Sequence, residues 1–600
     1  MEGKYIGDGI RNIRSAMNHC QRNKLDTYLF SFDIAAAFDK LKTRYMWQVL
    51  QSYGFPPEFI NLVKCLYNGA ESTTVNDGKL GIYFPLQRSC RQGCALSPWL
   101  YILMANPLMA AIANCPNIKS INMGNNMQFK LSCYADDMSA VLDRNSAKHL
   151  LEIMEKTKVF TGLELSKEKS ECLPMLGRKA DLAEVEGIKV VKSLKICGVT
   201  FCNDAEQEAE LNFRPIVTKL RRKLGLWSTR NLSLLGKTTI LKSQGLSYMQ
   251  YLASMVTVPT KYIKEITTCC FRFLWGKADK ITRAAAALPF DEGGLQLRLP
   301  ADIAMAASAH WIQRWQTSKE REDLQLWQKV LMDELEKLGG IEVLAGKIHK
   351  KALQTIADEQ SYSIISAWNE ITRNPTAEEA GLGTTPLWNN SQIITKEGKP
   401  IYCQRLAKKG IMSLCQVFDQ NGKVLKFKRA QELGLTWMHI IEWKAITACI
   451  PQKWKEYMEV NKLGSVPLPG EDSNMYSSEA TWWQTQEPIR IELQGKEERT
   501  DIRECTQKKL VSIIIAKREK KNNPFRNFCQ EHLNIEDLDW KWIYTNFKRL
   551  PTNVRIRSFS WKLVHGLCYT ASRLKHFGYR DTDTCTLCCL TAVHVAVLSR

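Results

Sequence analysis

"LSCYADDMSAVL", residues 131–142, sets two adjacent carboxylates, Asp136 and Asp137, inside a run whose other residues read as strand. An Asp pair at a tight turn has an ordinary explanation, since Asp tolerates turn geometry and hydrogen-bonds its own backbone. A second run changes the question. "YLFSFDIAAAFDKL" (28–41) places Asp33 at the end of another apolar, β-prone stretch, just before the chain turns into a helix. Carboxylates that converge from two strand ends repel one another and are driven to protonate unless a cation neutralises them. Mg2+ is the natural partner: it takes carboxylates together with substrate phosphates. A pair of such ions about 4 Å apart stabilises both the attacking and the leaving oxygen of a nucleotidyl transfer.

The rest of the composition is compatible with that chemistry. At 600 residues the chain is too long for one hydrophobic core, so two to four domains are expected. Hydrophobic residues make up 44% and charged residues 24%, which excludes wholesale disorder. Lys and Arg number 83 against 62 Asp and Glu, a net charge of +21. Such an excess favours a polyanion, whose condensed counterions are released at each phosphate contact; the alternative is a basic but otherwise ordinary enzyme. The 20 Cys are scattered rather than spaced as a disulfide framework, and the start, "MEGKYIGDGIRNIR", has no apolar signal-peptide core. A reduced, intracellular protein is expected, in cytoplasm and nucleus. No apolar run reaches the roughly 18 residues of a membrane span. "ADIAMAASAHWI" (301–312) stops short, so no membrane partner is expected.

Along the chain, β-type runs ("TYLFSFDIA", "FKLSCYA", "LKICGVTF") mix with amphipathic stretches such as "YMWQVLQSYG" and "AKHLLEIMEKTKVFTG" over the first two hundred residues, an α/β pattern. From 206 to 345 helical periodicity takes over, as in "ELNFRPIVTKLRRKLGLW". Residues 372–391 and 463–479, rich in Pro, Gly, Asn and Ser, are predicted to be linkers or exposed loops. The basic run "AKREKKNNPFR" (516–526) reads as a nuclear address, a phosphate contact or a solvated helix face. "NLSLLGKTT" (231–239) echoes a phosphate loop, but its first glycine position holds Asn231 and its surroundings are helical, so a nucleoside triphosphatase is rejected.

One further segment bears on the carboxylates. "RQGCALSPWLYIL" (91–103) sets Gly93 in a loop and predicts a helix with Ser97 as its cap and Pro98 in its first turn, preceded by Arg91 and Gln92, which can reach phosphate or base. The order "FDIAAAFD", "RQGCALSP", "YADD", "GLELSKEKS" (162–170), "LKICGVTF" (194–201) resembles the successive palm motifs of reverse transcriptases, in wording closest to non-LTR retrotransposons of the long interspersed element type. Beyond the palm, residues 224–253 look like that family's thumb and 271–297 like the segment after it. "TTPLWNNS" and 410–434 resemble its connector.

The resemblance implies an α/β right-hand polymerase palm with partial fingers (1–205), a helical thumb (206–345), a mostly helical connector (346–540) and a zinc-binding-like module (541–600). It implies an RNA-directed DNA polymerase that uses an RNA template, a DNA primer and deoxynucleoside triphosphates. Asp33 and Asp136 are then ligands of two Mg2+ ions, with Asp137 as a supporting carboxylate. Phe38 matches the aromatic gate against a nucleotide 2′-hydroxyl, or is a core aromatic. Gln92 and Gly93 line the nucleotide pocket with Arg91 beside them, and Lys169 approaches the phosphates, or is a surface lysine. Arg221, Arg222 and Trp227 lie near the template–primer duplex, or on an amphipathic helix with a buried Trp.

The sequence departs from the family in three places. The resemblance implies an endonuclease and further finger motifs before residue 7, so the chain is expected to begin inside the polymerase. It has Ala36 where the family often has Lys. Its C-terminal segment offers Cys585, Cys588 and His594 for zinc, with Cys589 geometrically poor as a fourth ligand, where a structural site takes four. Competing readings are a degenerate retroelement fragment that binds nucleic acid without polymerising and, more distantly, a maturase-like or telomerase-like protein sharing the palm.

Overall fold

The structure is a computed structural model. It describes residues 5–86, 88–91, 93–124, 127–175, 183–276, 281–317, 324–374, 381–432, 435–464, 490–491, 500–517, 538–549, 552–565, 567, 575 and 581–582. Two compact units emerge: 1–212 with 318–334 and 358–361, and 213–317 with 335–357 and 362–600.

The first unit is built on β1 (Tyr28–Ile34), whose aromatic and aliphatic residues are buried along nearly its whole length. Preceding it is helix α1 (Ile6–Arg22); following it come α2 (Ala37–Lys40), α3 (Thr43–Ser52) and α4 (Pro57–Tyr67). Two nested hairpins come next, β2 (Glu71–Ser72) with β5 (Phe84–Pro85) and, inside them, β3 (Val75–Asn76) with β4 (Lys79–Leu80). The inner turn is Asp77-Gly78, both at positive φ, the residues that such a tight turn selects. Helix α5 (Ser97–Asn114), the short pair β6 (Ile121–Asn122) and β7 (Gln128–Phe129), the hairpin β8 (Leu131–Tyr134) and β9 (Asp137–Leu142), and α6 (Arg144–Thr161) lead to β10 (Leu165–Pro174). Strands β11 (Glu184–Val185) and β12 (Ile188–Val190) complete a sheet of order β11-β12-β10-β1-β9-β8. A separate hairpin, β13 (Ser193–Ile196) with β14 (Val199–Cys202), follows.

Strand β1 is central and antiparallel to both neighbours. Phe30 and Phe32 point into a core formed with Met46 and Leu50 of α3, Leu100, Met104 and Leu108 of α5 and Leu150 of α6. On β8 and β9 rests α1, where a side chain at Gly9 would come within 2.6 Å of Ser132 Oγ. Later chain returns to hold α1: Trp327 donates from its backbone N to Asn12 Oδ1 (3.0 Å) and from Nε1 to Asp8 Oδ1 (3.1 Å). Gln360 donates to Ser15 Oγ at 3.0 Å. Arg11 is buried beside Asp358, and burial pulls its guanidinium down to about 9.

As expected, the first two hundred residues are α/β, with "YMWQVLQSYG" in α3 and "AKHLLEIMEKTKVFTG" in α6. Among the described residues no strand lies between Ala205 and Ala345. That stretch holds α7 (Ala205–Ser228), α8 (Leu234–Ile240), a π-helical turn (Leu241–Gly245), α9 (Ser247–Met255), α10 (Thr260–Trp275), α11 (Arg283–Ala287) and α12 (Pro300–Gln316). The phosphate-loop echo sits in α8, capped by the Ser233 hydroxyl, with no strand before it.

Farther on, the second unit has its own core of Leu387, Trp388, Leu414, Val417, Phe418, Trp443 and Trp454. Here an expectation fails. Within 372–391, predicted to be linker or exposed loop, residues 385–390 are buried around Trp388, Thr385, Asn389 and Asn390 among them. Composition misled because amide side chains here replace secondary structure as hydrogen-bond partners. Asn389 donates to Leu338 O (2.8 Å) and Asn390 to Pro386 O (2.8 Å), while Asn374 donates to Asn390 Oδ1 (2.8 Å). Of 463–479 only 463–464 fall within the described residues. No described helix is long and apolar enough to cross a membrane.

Candidate active site

The carboxylates lie at one end of the central sheet. Pairing of β1 with β9 runs from Tyr28↔Leu142 to Phe32↔Met138, so the same register carries Asp33 opposite Asp137. Residues opposite one another in an antiparallel pair share a face, here with Ser31 and Ser139. Asp136 and Ala135 form the two-residue turn closed by Tyr134↔Asp137, and Ala135 is at φ 53°. A left-handed non-glycine residue is strained, and such strain clusters at functional sites. Asp33 is half-buried; Asp136 and Asp137 are exposed.

On the other side of β1 the register with β10 slips, from Ser31↔Glu171 to Asp33↔Ser166. This bulge carries Lys169, exposed, next to the end of β1. Ser170, buried, ties the bulge to the site: its Oγ accepts from Asp33 N at 3.0 Å and donates to Ser166 O at 2.7 Å. Gly162 makes the return from α6 to β10 possible, at φ 81° with Lys40 O only 2.1 Å from where a Cβ would stand.

Phe38 rides on α2, directly after Ala36 in the left-handed region at φ 47°. Its ring stacks on Tyr101 with centroids 4.5 Å apart. Burial and then the Asp136 charge push the Tyr101 phenol up, and among the described residues its buried hydroxyl has no hydrogen-bond partner. Phe38 therefore packs half-buried against the core and stacks on Tyr101, the residue that senses the Asp136 charge. Arg91 is tied back to α4, donating to Leu66 O with its guanidinium 5.3 Å from the Tyr67 ring centre. Gly93 is at φ 84° with open space around it; Gln92 lies outside the described residues. Ser97 does not cap: the helix begins at Ser97 itself, after Leu96, and its hydroxyl is buried near Tyr67 and Cys94. Pro98 then occupies the first turn as expected.

Two residues that the sequence did not single out complete the site. Tyr101 is one, four residues along the helix from Ser97. The other is Cys197, at φ 46° in the β13–β14 turn, whose thiol donates to Asp137 Oδ2 at 3.5 Å. Burial first, then Asp137 and Asp136, push that thiol up to about 12. "LKICGVTF" had marked the segment, but only the fold brings its turn to the carboxylates.

In kind, the donor set suits a divalent cation: three accessible or half-buried carboxylates, none of them in an ion pair with Lys or Arg among the described residues. It is not preassembled, since no group of three or more His, Cys, Asp and Glu among the described residues is close enough to hold a metal. Arg221, Arg222 and Trp227 lie on α7, in the second unit. Arg222 is exposed, Trp227 half-buried, and Arg221 is paired with Glu265, which also takes Arg214 at 2.9 Å. Cys585, Cys588 and His594 lie outside the described residues.

Residues 5–201 match the family model described as reverse transcriptase (RNA-dependent DNA polymerase). Over 299 residues the chain is 25% identical to the Transposon TX1 uncharacterized 149 kDa protein of Xenopus laevis, covering 49% of this chain and 23% of that protein. It is 25% identical over 222 residues to the retrovirus-related Pol polyprotein from type-2 retrotransposable element R2DM of Drosophila melanogaster, covering 33% of this chain and 20% of that one. Over these residues the chain is similar to reverse transcriptases, and both of these relatives are proteins of transposable elements. The matched region ends in β14 and holds every residue of the carboxylate site described above. The chain spans only 23% and 20% of the length of these two relatives. A solved structure of telomerase from Candida albicans in complex with a TWJ fragment of telomeric RNA overlaps 54% of each chain at 12% identity. Its TM-score of 0.26 is too low to support an argument about fold.

Proposed function

We infer that this chain is an RNA-directed DNA polymerase that extends a DNA primer on an RNA template at Asp33, Asp136 and Asp137. The observation that supports it best is the register of the central sheet. It puts Asp33 opposite Asp137, with Asp136 in the adjoining turn and Lys169 on the bulge beside Asp33. In this reading residues 1–205 are palm and partial fingers, 206–345 the thumb, 346–540 the connector and 541–600 a zinc-binding-like module.

Extension requires the primer 3′-hydroxyl to lose a proton and pyrophosphate to leave with its charge offset, on substrates held in line. Asp33 and Asp136 are the residues to hold two Mg2+ ions, with Asp137 in support; the ions supply charge neutralisation at the attacking and leaving oxygens. Cys197 orients Asp137 by donating to one of its oxygens. Lys169 offers a cation to the triphosphate from a strand that Ser170 fixes against Asp33. Phe38, supported flat on Tyr101, closes the side of the site where a 2′-hydroxyl would enter, and Gly93 leaves room for the nucleotide. Arg222 and Trp227 are proposed to meet the nucleic acid backbone, with Arg221 held by Glu265 until a phosphate competes for it.

The test is extension of a DNA primer on an RNA template by purified chain with Mg2+. Extension is expected, with Asp136→Asn reducing it by at least about 10³-fold, as losing a charge-stabilising group does, while RNA affinity stays the same. An unmodified chain that binds the primed template and adds no nucleotide would sink the polymerase reading.

A further inference from the structure

A cavity of about 680 Å³ opens in the second unit, built from three pieces of backbone. Its volume is that of a ligand site. Each wall follows from local sequence. In "GGLQLR" (293–298), Leu295 and Leu297 turn inward and are buried, so Gln296 and Arg298 alternate outward into the cavity. This wall is pinned: Leu295 N and Leu297 N donate to Ala286 O, and Gln296 N donates to Leu288 O at 2.9 Å. Gly294 packs so tightly that a Cβ would fall 1.9 Å from Leu288 O. Gln296 is held at φ 52°, a strained conformation for a residue with a side chain.

The second wall is the π-helical turn Leu241–Gly245 and the start of α9, which present Lys242 and Gln250. Single π turns inside helices occur frequently at functional sites. The third is helix Gln507–Ala516, which buries Leu510, Ile513 and Ile514 and turns Lys508 to the cavity. Lys242, Arg298 and Lys508 face it against one carboxylate, Glu292. Among the described residues that line the cavity, none is aromatic. The third helix continues in sequence directly into the basic run "KREKK" (517–521).

We propose that this cavity binds the phosphodiester backbone of a single nucleic acid strand, as a second polyanion site outside the carboxylate centre. Cations with amide donors suit phosphate oxygens, and the lack of aromatic rings leaves bases without a stacking surface, so recognition is of backbone rather than sequence. The proposal rests on the reading that this chain works on nucleic acid, but not on its polymerising.

The experiment measures affinity of the full chain, carrying Asp136→Asn so that no extension occurs, for single-stranded RNA and single-stranded DNA across a salt series. Arg298→Gln with Lys508→Gln should weaken binding about tenfold near physiological salt. It should also flatten the log-affinity against log-salt slope by about 1.4, two single-strand phosphate contacts. The charge-keeping pair Arg298→Lys and Lys508→Arg should restore both. An effect on RNA alone or on both strands supports the site and tells which strand enters it. An unchanged slope overturns it, as does an equal loss of affinity for polyglutamate, which would assign the cavity to an acidic protein. An unchanged slope in a chain that otherwise extends primers retires the cavity and leaves the polymerase. A flattened slope in a chain that never extends them does the reverse.

Discussion

Phe38 is held by two surfaces at once, the ring of Tyr101 and the hydrophobic core, and its substitution should therefore have two separable effects. Phe38→Val removes ring volume at a half-buried site, which costs about 1–3 kcal/mol of stability. If the ring also bars the 2′-hydroxyl, the ratio of ribonucleotide to deoxyribonucleotide incorporation should rise by about 10–200-fold, the discrimination a steric contact supplies. Primer extension with each nucleotide alone measures the ratio, and denaturant unfolding the stability. A stability loss with an unchanged ratio would make Phe38 a core residue only. At this scale the sequence marks Asp33, Asp136 and Asp137 as candidates by side-chain type alone, and the fold sets them at one end of the sheet. The sequence was not legible for Cys197 and Tyr101, ordinary residue types that matter through what the fold sets beside them.

Elements divide in the same way. Strand β1 announces itself as an apolar, mostly buried run, whereas β10, "LSKEKSECLP", is exposed at Lys167, Glu168 and Lys169 and has no apolar run there to mark it as strand. What holds β10 in place is its register with β1 and an ion cluster at its entry. Glu164 accepts from Lys158 at 2.6 Å and from Lys40, at the end of α2, at 2.7 Å. Hydrogen bonds from Lys158 and then Lys40 hold its carboxyl down to about 2, below the ordinary 4.5. The folded value is below the unfolded one, so this cluster contributes stability in full above about pH 4.5 and loses it as pH falls through about 2. Glu164→Gln should accordingly melt below the parent protein near neutral pH, with the gap closing between about 4.5 and 2. Thermal melts across that range measure it. A gap that stays constant with pH would assign the loss to packing rather than charge.

For the whole molecule, the matched region 5–201 and the compact unit that contains it are different things. The unit recruits residues 318–334 and 358–361, more than a hundred positions later in the chain, a long-range return that no local pattern encodes. Its purpose is visible on α1, where Asp8, Arg11 and Asn12 are buried and could not remain so without partners. Trp327 supplies two of the hydrogen bonds and is itself 3% exposed. Trp327→Ala in the full chain should therefore cost this unit about 3–5 kcal/mol. A fragment ending at Asn212 should lose more, since it also lacks Asp358 and Gln360. Unfolding of two units in one chain is not a single transition, so the measurement is hydrogen exchange at the amides of β1, which reports the first unit alone. Protection in the fragment equal to that in the full chain would show that the returning segments are accessory. The expected collapse of protection would mean that a fragment cut just after the matched region leaves out part of the core on which its own α1 depends.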